Sequence, residues 1–260
     1  MTNTAASPTP ARVLEIIDEL AHGWAEFLAE GRDLEPSRDA KYITTPAAVA
    51  ALASHTTELG RVVATLARSD FPGMAIMPTA RSAYETGLTA HWLAQSPEGF
   101  AAWTNNSLRN ARNLIDELEK ASIPSFKNAA AALRGQLIPD LDLKVNIQTS
   151  VKEICASLKA GKSDAYAYYR LACGLDHPGS MLTERYVEAY SNGIQVHSRS
   201  KFNADSWIFM TAASMVWAQR AVDFSDPGRT RRGVLRSYAK ELQIPEALEL
   251  TFEGLHPKKR

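Results

Sequence analysis

"ADSWIFMTAASMVWAQRAVDFS", residues 204–225, is the stretch on which the fold turns. Apolar residues occur around its whole helical circumference, with no period-two alternation, which describes a helix enclosed by others rather than a strand. A central helix of this kind needs other helices around it, and the flanking sequence supplies them.

Working outward, "ARVLEIIDELAHGWAEFLAE" (11–30) carries Val13, Ile16, Ile17, Leu20, Trp24, Phe27 and Leu28 at three-and-four spacing, a helix with one buried face. "GRDLEPSRD" (31–39) breaks it. "TTPAAVAALASHTTELGRVVATLARS" (44–69) predicts an Ala-rich helix with Thr45 as its cap and Pro46 at its first position. "DFPGMAIMP" (70–78) reads as a turn and an apolar approach to a helix over 79–96. Ser96 then caps the next helix, over 97–121. Helices follow in "SIPSFKNAAAALRGQLIPD", "SVKEICASLKAG" and "KSDAYAYYRLACG", and a further one is expected in "SMLTERYVEAY" (180–190). "LDLKVNIQT" (141–149) is the best extended candidate, and Asn192-Gly193 suggests a loop or short hairpin. A basic closing helix begins near Pro227. The sequence therefore predicts a single all-α domain over residues 10–245, an irregular bundle of about nine or ten helices. A disordered lead is expected at 1–9 and a C-terminal tail at 246–260.

The chain has 260 residues and is 45% apolar, enough for a sizeable core. Lys+Arg and Asp+Glu both total 29, which counts against a dedicated nucleic-acid binder. Charge is uneven: residues 1–40 hold eight acids against three arginines, and Arg229, Arg231, Arg232 and Arg236 cluster late in the chain. Cys155 and Cys173 are expected to be buried free thiols. No signal peptide, membrane-length apolar run, metal-ligand spacing, phosphate loop, zinc-protease motif or nucleophile elbow occurs. A cytoplasmic protein without cofactor, metal or membrane association is the expectation.

Two constellations carry chemistry. In "ARSAYETGLTAHWLA", Arg81 and Glu85 stand four apart on one helix face, within ion-pair reach. They read either as a structural pair fixing helix register or as a charged pair lining a ligand pocket. In "DAYAYYRLACGLDHPGS" (164–180), Ser163 is expected to cap a helix that Gly174 closes in the left-handed conformation. Tyr166 is expected to carry the guanidinium of Arg170 four residues on, with Tyr169 beside it. Pro178 turns His177 out of helical geometry. A histidine that exchanges protons near neutral pH, beside an arginine that holds phosphate, suits metal-independent RNA cleavage with the 2′-hydroxyl as nucleophile. Asp176 is placed to orient the imidazole, or to serve with His177 at the open carbonyls of the helix end.

Six residues separate Arg170 from His177, and this spacing resembles the Arg-x4-6-His signature of the HEPN superfamily. That resemblance implies an all-α fold, pairing as a homodimer and metal-independent RNase activity in toxin–antitoxin or phage-defence systems. Arg170 and His177 would be the catalytic residues and RNA the partner. Leu171, directly after the arginine, and Pro178 depart from that pattern. Residues 45–225, with the Arg-x3-Glu helix followed by a Tyr-Arg…His-Pro segment, look more like a family of uncharacterised bacterial and phage helical proteins. The alternative is a non-catalytic domain that binds a small ligand or a partner helix, with Arg81, Glu85, Tyr166 and Tyr169 lining its pocket.

Overall fold

The computed structural model describes residues 7–31, 45–136, 149–159, 164–191, 193–226 and 228–255. Within them the chain is all-α: helices α1 (Pro10–Ala29), α2 (Thr45–Arg68), α3 (Gly73–Gln95), α4 (Gly99–Lys120), α5 (Pro124–Gln136), α6 (Val151–Ala156), α7 (Asp164–Asp176), α8 (Ser180–Thr183), α9 (Asp205–Val222), α10 (Arg232–Glu241) and α11 (Phe252–Leu255). Strands β1 (Val187–Tyr190) and β2 (Gly193–Val196) pair antiparallel as one hairpin, with Val187 opposite Val196. The extended candidate at 141–148, the break after Gly31, the Ser163 cap and residues 1–6 fall outside the described residues.

Helix α9 is enclosed, as its composition requires. Every residue from Trp207 to Val222 except Phe209 is buried. Helices α1, α2 and α3 pack around it, and Ile16, Ile17, Leu20, Val49, Val63, Ile76, Leu88 and Met215 are among the core side chains. Each such aliphatic removed from water contributes about 1.5–3 kcal/mol. Close approach is set by glycine at Gly87, where a Cβ would meet Ser214 O of the α9 backbone at 2.8 Å, while one on Gly60 would press on the Met215 side chain. Polar groups inside α9 are satisfied locally, Thr211 Oγ1 donating to Trp207 O (2.8 Å) and Ser214 Oγ to Met210 O (2.7 Å). Gln219 ties the layers together. Its Nε2 donates to Leu20 O and Thr57 Oγ1 (3.2 and 3.0 Å), and its Oε1 accepts from Arg231 Nη1 at 2.6 Å.

Several elements differ from the sequence expectation, each for a local reason. Helix α3 starts at Gly73 and runs straight through Pro78, because Pro72 already serves as its N-cap and the apolar "MAIM" face packs inward. Ser96 ends α3 and leaves α4 to start after Glu98, without a side-chain cap. Thr45 is the first residue of α2 rather than its cap. Helix α7 continues through Gly174, which is not in the left-handed conformation, to Asp176, and Leu175 is buried in the core. The stretch 180–190 is helical only to Thr183. Beyond it the β-prone Val187 and Tyr190 join a hairpin instead, with Tyr190 opposite Gly193. Basic helix α10 begins at Arg232. Part of the expected tail folds back, with Leu248 and Leu250 buried and Leu250 bridged to Leu158. Cys155 and Cys173 are buried free thiols. Among the described residues no helix is long and apolar enough to cross a membrane.

Candidate functional site

Helix α7 lies against α3 and divides two environments. Consecutive side chains on a helix diverge by about 100°, so Tyr168 and Tyr169 cannot face the same neighbours.

Tyr168 faces inward. Its ring lies 6.0 Å from Tyr84 and 6.4 Å from Trp207, and its hydroxyl donates to Ser206 O at 3.0 Å. Tyr84 in turn donates to Ala165 O at 3.0 Å. Burial holds both phenols above their ordinary pKa. Beside these rings is a cleft of about 350 Å³. Tyr84 and Leu88 of α3, Tyr168 of α7, and Phe209, Ala213 and Trp217 of α9 form its walls. Phe209, Ala213 and Trp217 are successive i,i+4 positions, so the small Ala213 leaves a notch between two aromatic side chains.

The remaining wall is the segment 244–248, contributing Ile244, Pro245 and Leu248. It is pinned at three points. Trp217 Nε1 donates to Pro245 O (2.9 Å), Gln95 Nε2 to Leu248 O (2.8 Å), and Leu248 N–H to His91 Nε2 (3.3 Å). His91 is fully buried, edge-on to Phe224 at 5.6 Å. Burial, reinforced by the Arg220 charge, pushes its pKa down to about 3. Only a neutral ring offers the Nε2 lone pair that Leu248 uses. The hydroxyls of Tyr84 and Tyr168 and the indole N–H of Trp217 are thus all engaged with backbone, and the cleft presents mainly hydrocarbon and ring faces. Asp164 stands at its edge.

Tyr169 faces the other way, into a charged cluster. Arg81 Nε lies 2.8 Å from Glu85 Oε1, and Arg81 Nη1 pairs with Asp176 Oδ2. The guanidinium sits over the Tyr169 ring, 5.4 Å from its centroid. Burial is the largest single influence and opposes the Arg81 charge, but Glu85, Tyr169 and Cys173 together outweigh it and hold the pKa above the ordinary value. A hydrogen bond with Cys173, together with burial, raises the Tyr169 phenol. Arg81, Glu85, Tyr169 and Asp176 of the sequence candidates therefore converge. Asp176 reaches Arg81, ninety-five positions away in sequence, rather than the His177 imidazole beside it. Tyr166 stacks on Tyr169 (6.1 Å, 31°), not on Arg170. Arg170 and His177 are both exposed, and neither side chain has a hydrogen-bond, ion-pair or ring partner among the described residues. The His177 backbone N–H donates to Cys173 O at 3.2 Å.

One cation facing two carboxylates is matched in charge, although its buried Nε–H, 2.8 Å from Glu85 Oε1, makes no well-aligned hydrogen bond, so this cluster offers no free positive charge to an anionic ligand. The basic loop at His197 and Lys201 is likewise committed, both side chains pairing with Glu188. No group of three or more histidine, cysteine or carboxylate side chains able to hold a metal occurs among the described residues. The cleft itself escaped the sequence reading, which takes 204–225 as a helix enclosed by others on every side. The available signal was the aromatic–Ala–aromatic stripe on α9. No family model, curated protein or solved structure matches the chain.

Proposed function

We propose that this protein binds a small, largely apolar molecule in the cleft between α3, α7, α9 and residues 244–248. The observation that carries the reading is the cleft's chemistry. About 350 Å³ of space is walled by aromatic and aliphatic side chains whose polar atoms are already satisfied. A ligand entering it gains dispersion and apolar burial without stripping hydrogen bonds from the wall. Calorimetric titration with 1-naphthalenemethanol tests this directly. Saturable binding by the native chain, abolished when Ala213→Phe fills the notch in a variant of unchanged circular dichroism, is the expected result. Equal binding by both proteins removes the cleft as the site.

A second reading, the metal-independent RNase, rests on one observation. Arg170, within α7, and His177, the residue after its end, are both exposed and seven residues apart in sequence. His177 would act as general acid and base, with Arg170 holding the phosphate. Arg81, paired with Glu85 and Asp176, adds no net positive charge there. Cleavage of mixed RNA in EDTA by the native chain, lost in His177→Ala, supports this reading, and no cleavage by either protein ends it.

A further inference from the structure

The late arginines adjoin a second opening, on the other side of the 244–250 segment. A crevice of about 360 Å³ is lined by Lys159, Arg220, Arg232, Glu246, Ala247 and Glu249. Arg220, at the end of α9, is only 7% exposed. Its Nη1 donates to Asp223 Oδ2 at 2.8 Å and its Nη2 lies 3.5 Å from Glu246 Oε1. Arg232, the first residue of α10, places Nε 3.7 Å from the same Glu246 oxygen, too far for a hydrogen bond. Arg236 claims both Glu246 oxygens, at 2.8 and 3.2 Å. Lys159 pairs with Glu249 at 2.8 Å.

Two features mark this arrangement as incomplete. The Nε–H groups of Arg220 and of Arg232 are both buried and have no acceptor. A buried guanidinium donor without a partner is costly, and native structures rarely leave two together. The lining itself carries three cationic side chains (Lys159, Arg220, Arg232) and two carboxylates (Glu246, Glu249). Helix α10 also starts here without a side-chain cap, so the positive end of its dipole is uncompensated by one.

We propose that this crevice binds a phosphate-class oxyanion, as the free ion or as the phosphoryl end of a small molecule. Such an anion carries acceptors on several sides at once. It is drawn to the cationic lining, and a small swing of the two guanidinium groups turns their idle Nε–H donors onto it in the fork geometry that guanidinium offers an oxyanion. Glu246 acts as a resident competitor, a carboxylate that shares the arginines until the anion arrives. The site is separate from the apolar cleft, to which Arg220 and Arg232 contribute nothing.

The test is calorimetric titration of the intact chain with inorganic phosphate and with glycerol 3-phosphate, against sodium chloride at matched ionic strength. Saturable binding is expected. Arg232→Gln, a change at a half-exposed side chain, should weaken it about tenfold. Glu246→Gln should strengthen it severalfold by removing the competitor. Tighter binding of the ester identifies a phosphoryl-bearing ligand, and equal or tighter binding of the free ion identifies a phosphate site. Heats no larger than those of chloride, or identical affinities for native protein and Arg232→Gln, overturn the proposal. Titration with 1-naphthalenemethanol runs alongside, so failure of the cleft and failure of the crevice are read separately.

Discussion

Tyr168 and Tyr169 are neighbours in sequence and opposites in situation. On the Tyr169 side, polar groups are matched to one another: Arg81 to Glu85 and Asp176, with the tyrosine ring beneath. On the Tyr168 side, polar groups are matched to backbone, and space is left over. Charged residues draw attention in a sequence because their chemistry is conspicuous. Here the conspicuous side is closed by its own charges, and the open volume lies on the quiet side. A charge paired within the fold is a structural device, whereas an unfilled aromatic volume is space that packing has left over.

Breaking each side separately sharpens that contrast. Trp217→Ala should have the largest effect, a loss of about 3–5 kcal/mol in denaturant unfolding. It removes a wall of the cleft and frees Pro245 O. Acidification attacks the same wall through His91. The unfolded ring takes up a proton near pH 6.5, the folded one only near 3. The stability it confers is whole above 6.5 and drains away as pH falls towards 3, at about 1.4 kcal/mol per pH unit. By pH 5 about 2 kcal/mol should be gone, and a His91→Gln variant should show a flatter profile over that window. On the other side, Arg81→Ala leaves Glu85 and Asp176 without their cation. Because all three are partly solvated, the loss in unfolding free energy should be about 1–2 kcal/mol, largely recovered by adding Glu85→Gln and Asp176→Asn. A cost as large as that of Trp217→Ala would erase the contrast. The smallest effect belongs to Arg170→Ala and His177→Ala, each within about 0.5 kcal/mol, since both are exposed.

What could be read from the sequence follows from the range of the interactions. The enclosed α9 was legible because its composition has no polar face. The Arg81–Glu85 pair was legible because helical spacing alone brings the two together. Asp176 was noticed, but for its neighbour His177, since nothing local says that α7 lies with its end against α3. The hairpin at 187–196 was half seen: the Asn-Gly turn signalled it, but "SMLTERYVEAY" has no alternation to set a strand boundary. The cleft draws on α3, α7, α9 and 244–248. Its existence depends on how four separate surfaces fail to fill the volume between them, and no single stretch of sequence encodes a gap.

The segment 244–250 walls both the apolar cleft and the arginine crevice, with Pro245 and Leu248 serving one and Glu246 and Glu249 the other. This carries a consequence for truncation. Helices α1, α2, α3 and α9 pack on one another directly, whereas Trp217, Arg220 and His91 each reach into 244–250 for a partner. Deleting or cleaving that one segment therefore opens the apolar cleft and the arginine crevice together, so the two proposed sites share a single point of failure.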